Sequence, residues 1–135
     1  ALAGDDLDSA KVASGELRTA AAALEEAELV EAGREPWAKL AATVSDATAA
    51  IAQAPEIDGA RAEFEKISIA SEAALRVLGS TTPMHVMHCP MAFDGRGARW
   101  LQSSKDLLNP YFGDAMLRCG STLEVLKPRE TSRDK

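Results

Sequence analysis

The sequence predicts a mainly α protein, an antiparallel helical bundle of three to four helices with a small β-hairpin-like C-terminal subregion. Three observations carry that expectation. Apolar residues recur at helical spacing through three successive segments before residue 79. Gly33, Pro36, Pro55, Gly79 and Pro83 punctuate those segments. Beyond Pro83 the composition changes: all four methionines, both cysteines, both histidines and the only tyrosine lie between Met84 and Gly120.

The first helix is expected from Asp5 to about Val30. Asp5, Asp6 and Asp8 suit its positive N-terminal end. Leu7, Ala10, Leu17, Ala20 or Ala21, Leu24 and Ala27 form its apolar stripe, and Gly33 is the candidate C-terminal cap. Gly15 weakens its middle by about 1 kcal/mol relative to alanine. Pro36 fits the first turn of a second helix, with Trp37, Leu40, Ala41, Val44, Ala47 and Ile51 on one side and Pro55 as the stop. A third helix is expected from Ile57 to Leu78, capped by Asp58 and ended by Gly79. Its stripe is Ile57, Ala60, Phe64, Ile67, Ala70 or Ser71, Ala74, Leu75 and Leu78. Glu63 with Lys66, and Glu72 with Arg76, read as solvated helical pairs worth a few tenths of a kcal/mol each, roughly. Short connections make such helices antiparallel neighbours. They are alanine-rich, so they supply few bulky anchors.

The last third reads differently. His85–Cys89 and Ala98–Leu101 suit two short strands, with Asp94-Gly95 as a turn signal between them. Asn109-Pro110 reads as a cap followed by proline at the first position of a short helix over about 110–119, with Gly113 interrupting it and Gly120 past its end. Leu123–Leu126 suits a third strand. Phe93, Trp100, Leu101, Leu107, Leu108, Tyr111 and Phe112 are expected to complete the core of the bundle. Residues 1–126 thus form a single domain, with the site-bearing region at 84–120, and 127–135 form a flexible polar tail.

The totals exclude several function classes. The formal charge is −6, which argues against nucleic acid as a partner and against a polybasic membrane anchor. No apolar run approaches the roughly 20 residues of a spanning helix, so no membrane insertion is expected. There is no signal-peptide pattern; a start at Ala1-Leu2-Ala3-Gly4 leaves an exported origin open. No Cys-x-x-Cys occurs. A Gly-rich phosphate loop, a nucleophile elbow and an acid–base set are all missing, so no enzyme is expected.

The chemistry-bearing residues that remain are sulfurs. Cys89 and Met91 straddle Pro90, and Met116 and Cys119 are three apart, on one face if helical. Two thiolates and two thioethers, with His88 as an auxiliary imidazole, are the donor set that selects Cu(I) or Ag(I). Two bland readings stand beside this one. Methionine is first a core filler. A cysteine pair in an exported domain is first a disulfide, here closing a loop of about 31 residues worth roughly 3–4 kcal/mol in chain entropy; the protein then needs no cofactor. His85 and His88, three apart on a strand, face opposite sides and do not chelate together.

From about Ile57 to Val125 the chain resembles a small bacterial domain of formally unknown function. That domain occurs alone or at the end of periplasmic adaptor subunits of copper/silver-type heavy-metal efflux pumps. The residues that carry the resemblance are Arg61, Phe64 and Ser68, then His88-Cys89-Pro90-Met91-Ala92-Phe93 and Trp100-Leu101. Asn109-Pro110-Tyr111-Phe112-Gly113-Asp114, Met116-Leu117 and Cys119-Gly120 follow. The resemblance implies a helical bundle of the cell envelope, periplasmic or exported, tied to soft-metal handling. It also implies a copper-handling partner such as an efflux adaptor. Cys89, Met91, Met116 and Cys119 are the ligands expected on this reading. The alternative is a disulfide-stapled structural or interaction module of such an adaptor, with no metal site.

Overall fold

A computed structural model describes residues 1–23 and 31–128. The expected stripe positions Leu24 and Ala27, and most of the expected polar tail, lie outside these residues. The described chain is mainly helical, with a small antiparallel sheet. Helices α1 (Leu7–Ala23), α2 (Glu31–Ala52) and α3 (Ile57–Leu78) come first. Strands β1 (Met84–Cys89), β2 (Ala98–Gln102) and β3 (Ser121–Leu126) follow, with a single helical turn, α4 (Ala92–Gly95), between β1 and β2. No helix among the described residues is long and apolar enough to cross a membrane.

Local chemistry explains where the helices begin. α1 starts at Leu7, two residues later than expected, because Asp6 is its cap: its carboxylate accepts from the Ser9 N–H at 2.9 Å and from the Ser9 hydroxyl at 2.7 Å. Asp5 is not part of that start and does other work, described below. α2 begins at Glu31, so Gly33 is not a C-terminal cap but a buried residue of the next helix, and Pro36 lies inside α2 rather than at its first position. Proline there removes one bond to the carbonyl four residues back; the buried face of Val44, Ala47, Thr48 and Ile51 holds the helix regardless. α3 has Glu56 at its cap position with no side-chain bond, which leaves Asp58 as a first-turn acid rather than the cap. Gly79 ends α3 as expected, with φ 80° and its N–H on the Leu75 carbonyl at 2.8 Å.

α2 lies between α1 and α3, packing against both, and α3 runs alongside β2. Two separate apolar clusters result, where the sequence led us to expect one. The helical cluster is small-residue packing: Val44, Ala47, Ile51, Ala54, Ala60 and Ile67, with Leu2, Leu7 and Leu40 at its margin. The second cluster belongs to the C-terminal third: Met87, Cys89, Ala92, Ala98, Trp100 and Tyr111, edged by Phe64, Phe93, Leu107, Phe112 and Cys119. Leu108, expected inside, is exposed. The bulky side chains therefore do not complete the helical core. They build one of their own, because alanine faces pack closely and leave little room between helices.

The sheet order is β2-β1-β3, antiparallel throughout. Met87 faces Trp100 and Cys89 faces Ala98 across β1 and β2, all on the cluster side, while His88 faces Arg99 on the other. Glu72 and Arg76 do more than pair along α3. Arg99 reaches Glu72 at 3.2 Å and Arg76 reaches Glu124 at 2.6 Å, which ties α3 to β2 and β3; Arg96 adds a bond to Glu65 at 2.7 Å.

Three carboxyls set an acid limit. Hydrogen bonds, from the Asp114 N–H and then Arg61 for Asp5, from Ser9 for Asp6, and from Arg76 for Glu124, hold all three carboxyls below their ordinary values. A depressed carboxyl contributes stability above its unfolded value, near 3.8 for Asp and 4.5 for Glu, and that contribution disappears as pH falls through the folded value. Thermal unfolding followed against pH should show a midpoint steady from neutrality to about pH 5 and falling below about pH 4. Asp5→Asn should shorten that acid limb; a limb unchanged in this variant would remove Asp5 from the account.

Candidate functional site

The expected helix over 110–119 does not form. Asn109 does cap a turn, its Oδ1 accepting from the Tyr111 N–H at 2.8 Å. Gly113 then takes φ +58°, which ends the helical path after one turn and leaves only a 3₁₀ turn, Gly113–Ala115. A side chain on Gly113 would overlap the Asp5 carboxylate, which accepts the Asp114 N–H at 2.8 Å. The rest of the segment folds back on Asn109, whose N–H bonds the Leu117 carbonyl at 2.7 Å and whose Nδ2 bonds the Cys119 carbonyl at 2.9 Å. Asn109 is fully buried. The loop is thus a closed clasp with one amide at its centre.

That clasp is held to α3 and to the N-terminus. Arg61, buried, donates from Nε to the Pro110 carbonyl at 2.8 Å, and from one terminal nitrogen to the Leu2 carbonyl at 2.9 Å and to Asp5 at 2.8 Å. One helical turn on, Phe64 packs on Tyr111 with ring centroids 5.7 Å apart. Phe93 and Trp100 meet the same ring edge-on at 5.4 and 5.9 Å. The Tyr111 hydroxyl donates to the Arg99 carbonyl at 2.5 Å and lies beside Ser68; burial pushes its pKa far above the ordinary value. Tyr111 is therefore the hub of the second cluster.

The folded-back clasp puts Cys119 beside Cys89. Both cysteines are free thiols, Cys89 buried and Cys119 partly so. The two belong to one apolar cluster; burial first, and then the neighbouring Cys89, raise the Cys119 thiol above its ordinary value. Gly120 makes this approach fit: at φ +132°, an added Cβ would come within 2.6 Å of the His88 carbonyl oxygen. The two methionines expected with these thiols are elsewhere. Met91 and Met116 line an open groove of about 650 Å³, together with Asp58, Arg61, Phe93, Tyr111 and Phe112; neither cysteine lines it. Met116 and Cys119 do not share a face, because the chain between them is not helical. Met87, which the sequence left among the fillers, is fully buried and accepts the Thr122 hydroxyl on its sulfur at 3.2 Å.

His88, expected as an auxiliary ligand, is set apart from the sulfurs by strand alternation. Its ring lies over Gly97 in a shallow groove with Glu65, Glu72, Arg96 and Arg99. His85 lies on the same side of β1 as Met87 and Cys89, with its Nδ1 buried and without a hydrogen-bond partner. Among the described residues no group of three or more His, Cys, Asp or Glu side chains is placed to hold a metal ion. The candidate sulfurs thus fall in two places, the two cysteines in the aromatic cluster and the two methionines along the groove. The chemistry of each pair suits an ion content with two soft ligands.

Sequence reasoning missed Asp5 and the buried role of Arg61. Their pairing joins residues 56 positions apart, a separation that helical periodicity does not register. Asn109 was legible as a cap but not as the centre of the clasp.

A helical unit that carries a small sheet and a dithiol beneath an aromatic hub is the class of protein these features define. Residues 1–82 match a family described as a protein of unknown function (DUF3347), and the chain belongs to that family. The match covers the helices and ends before the Met84–Gly120 stretch that bears the sulfurs. No curated protein and no solved structure matches the chain.

Proposed function

We propose that this domain holds a soft monovalent ion, Cu(I) or Ag(I), between the thiolates of Cys89 and Cys119, as cargo in copper homeostasis or efflux in the bacterial cell envelope. The observation that carries the reading is the pair of free thiols brought into one aromatic cluster. Soft thiolates favour such ions, and two of them satisfy a two-coordinate ion with no further ligand. Binding displaces one proton from each thiol, and the ion and two thiolates together carry one negative charge. Phe93, Trp100, Tyr111 and Phe112 form the apolar wall behind the pair. The domain holds or passes its ion and performs no turnover. A periplasmic efflux adaptor or another copper-handling protein is the partner that the sequence resemblance suggests.

The test is anaerobic competition for Cu(I) against a chelator, with thiols counted beforehand. One ion per chain is expected. Cys89→Ser and Cys119→Ser should each weaken binding by more than the about ten- to hundredfold that loss of an outer-shell partner costs. Unchanged affinity in either variant removes the reading.

The same pair of neighbouring free thiols supports a second reading. The two thiols can give up two electrons and two protons to a disulfide oxidant of the cell envelope and staple the clasp to β1. The protein is then a structural or interaction module with no metal site. Two oxidised cysteines after non-reducing purification from the periplasm, resistant to mild reductant, would select it.

A further inference from the structure

We propose that the Met91–Met116 groove is a separate surface station at which a soft monovalent ion docks before it passes inward to Cys89 and Cys119. The proposal rests on the dithiol reading above and divides Cys89, Met91, Met116 and Cys119 between two sites. Four observations support the division.

First, the core-filler explanation fails for Met91, whose relative exposure is 51%, while Met87 fills the core. Second, the turn that presents Met91 is conformationally costly. Phe93 and Asp94 both sit in the left-handed region, at φ 53° and 58°, which a bulky side chain such as that of Phe93 rarely adopts. Such strain collects where a position is held for use. Third, the groove suits a cation. Asp58 and Asp94 line it; Arg61 pairs with Asp5 at 2.8 Å and with Asp58 at 3.7 Å, so the carboxylates around its one positive charge leave the groove net negative. Fourth, the wall is thin. Phe93, Tyr111 and Phe112 line the groove and also belong to the cluster that holds both cysteines. Met91 is two residues from Cys89, and the Cys119 N–H bonds the Met116 carbonyl at 3.0 Å.

The direction of transfer follows from the ligands. Two neutral thioethers hold a monovalent ion weakly and leave its charge in place; two thiolates hold it tightly. Passing inward, the ion leaves both methionine sulfurs and binds both cysteine sulfurs, and the two thiol protons go to solvent. No electron changes hands.

The probe is Cu(I) presented anaerobically as its complex with a bidentate chelator, mixed rapidly with reduced full-length chain. The double variant Met91→Leu/Met116→Leu should reach nearly the wild-type equilibrium affinity but load about tenfold more slowly, since residues outside the final site act on rate rather than affinity. In Cys89→Ser/Cys119→Ser, Ag(I) should still shift the NMR signals of the Met91 and Met116 methyl groups and leave that of Met87 in place. Wild-type loading speed in the double leucine variant overturns the station while leaving the dithiol site standing. A large loss of equilibrium affinity overturns it too, in favour of one four-sulfur site. Failure of the wild-type chain to bind Cu(I) removes the dithiol reading instead; a methionine methyl shift with Ag(I) would then show the groove acting alone, and its absence would remove both.

Discussion

Arg61→Leu should destabilise the domain by about 3 kcal/mol, the scale set by leaving buried polar groups without their partners. The guanidinium binds three groups from distant parts of the chain: the Pro110 carbonyl, the Leu2 carbonyl and the Asp5 carboxylate. Leucine fills part of the volume but donates nothing. The buried Pro110 carbonyl loses its bond, and Asp5 keeps only the Asp114 N–H. Lysine is a poor substitute, since one ammonium cannot reproduce the planar fork that serves three acceptors. Arg61→Lys should therefore recover less than half of the loss, in urea unfolding followed by circular dichroism. Asp5→Asn keeps an acceptor for Asp114 and should cost clearly less than Arg61→Leu. If the two cost the same, the ion pair rather than the carbonyl bonds carries the effect. The loss should be felt at the clasp, because Arg61 is what fastens it to α3.

The contrast between Arg61 and the helix ends shows what was legible. Periodicity placed α1, α2 and α3, because a helix that buries one face must repeat its apolar residues at 3.6. Gly79 stopped α3 as read, its φ of 80° turning the chain out of the helix while its N–H closes on the Leu75 carbonyl. Gly33 and Pro36 misled, because a punctuating residue is only a local preference and the packing of Val44, Ala47 and Ile51 overrides it. The strands were legible from alternation, and so was the separation of His88 from His85. The clasp was not. Its Asn109-Pro110 opening is a genuine helix signal, yet one glycine at φ +58° and an acid 108 positions away, Asp5, decide the outcome. Long-range polar pairs leave no periodic trace. For the same reason the four sulfurs read as one set, although the fold divides them in two.

Asn109→Ala should be the most damaging single change at the site, for stability and for the thiols together. Asn109 is fully buried and uses both ends of its side chain: Nδ2 on the Cys119 carbonyl, Oδ1 on the Tyr111 N–H. Alanine leaves both backbone groups unpaired and opens a small cavity, for a loss of about 2–4 kcal/mol. Stability alone would not distinguish this from any other core substitution. The thiols do, because the lost Nδ2 bond is the one that ties the Cys119 carbonyl to Asn109. In Asn109→Ala the Cys119 thiol should react about tenfold faster with a disulfide reagent, as access and thiolate character both increase, while Cys89, buried in β1, stays protected. Asn109→Asp separates the two bonds. It keeps an acceptor for Tyr111 but turns a carboxylate oxygen toward the Cys119 carbonyl. That buried carboxyl takes its proton more readily than in the unfolded chain, so this variant should be closest to wild type in mild acid and lose stability as pH rises through its raised folded value. If Cys119 reacts at the wild-type rate in Asn109→Ala, the amide is a general packing element and something else brings the two sulfurs together. If it reacts faster while Cys89 does not, one buried amide sets the distance between the thiols, and the dithiol exists only while the clasp is closed.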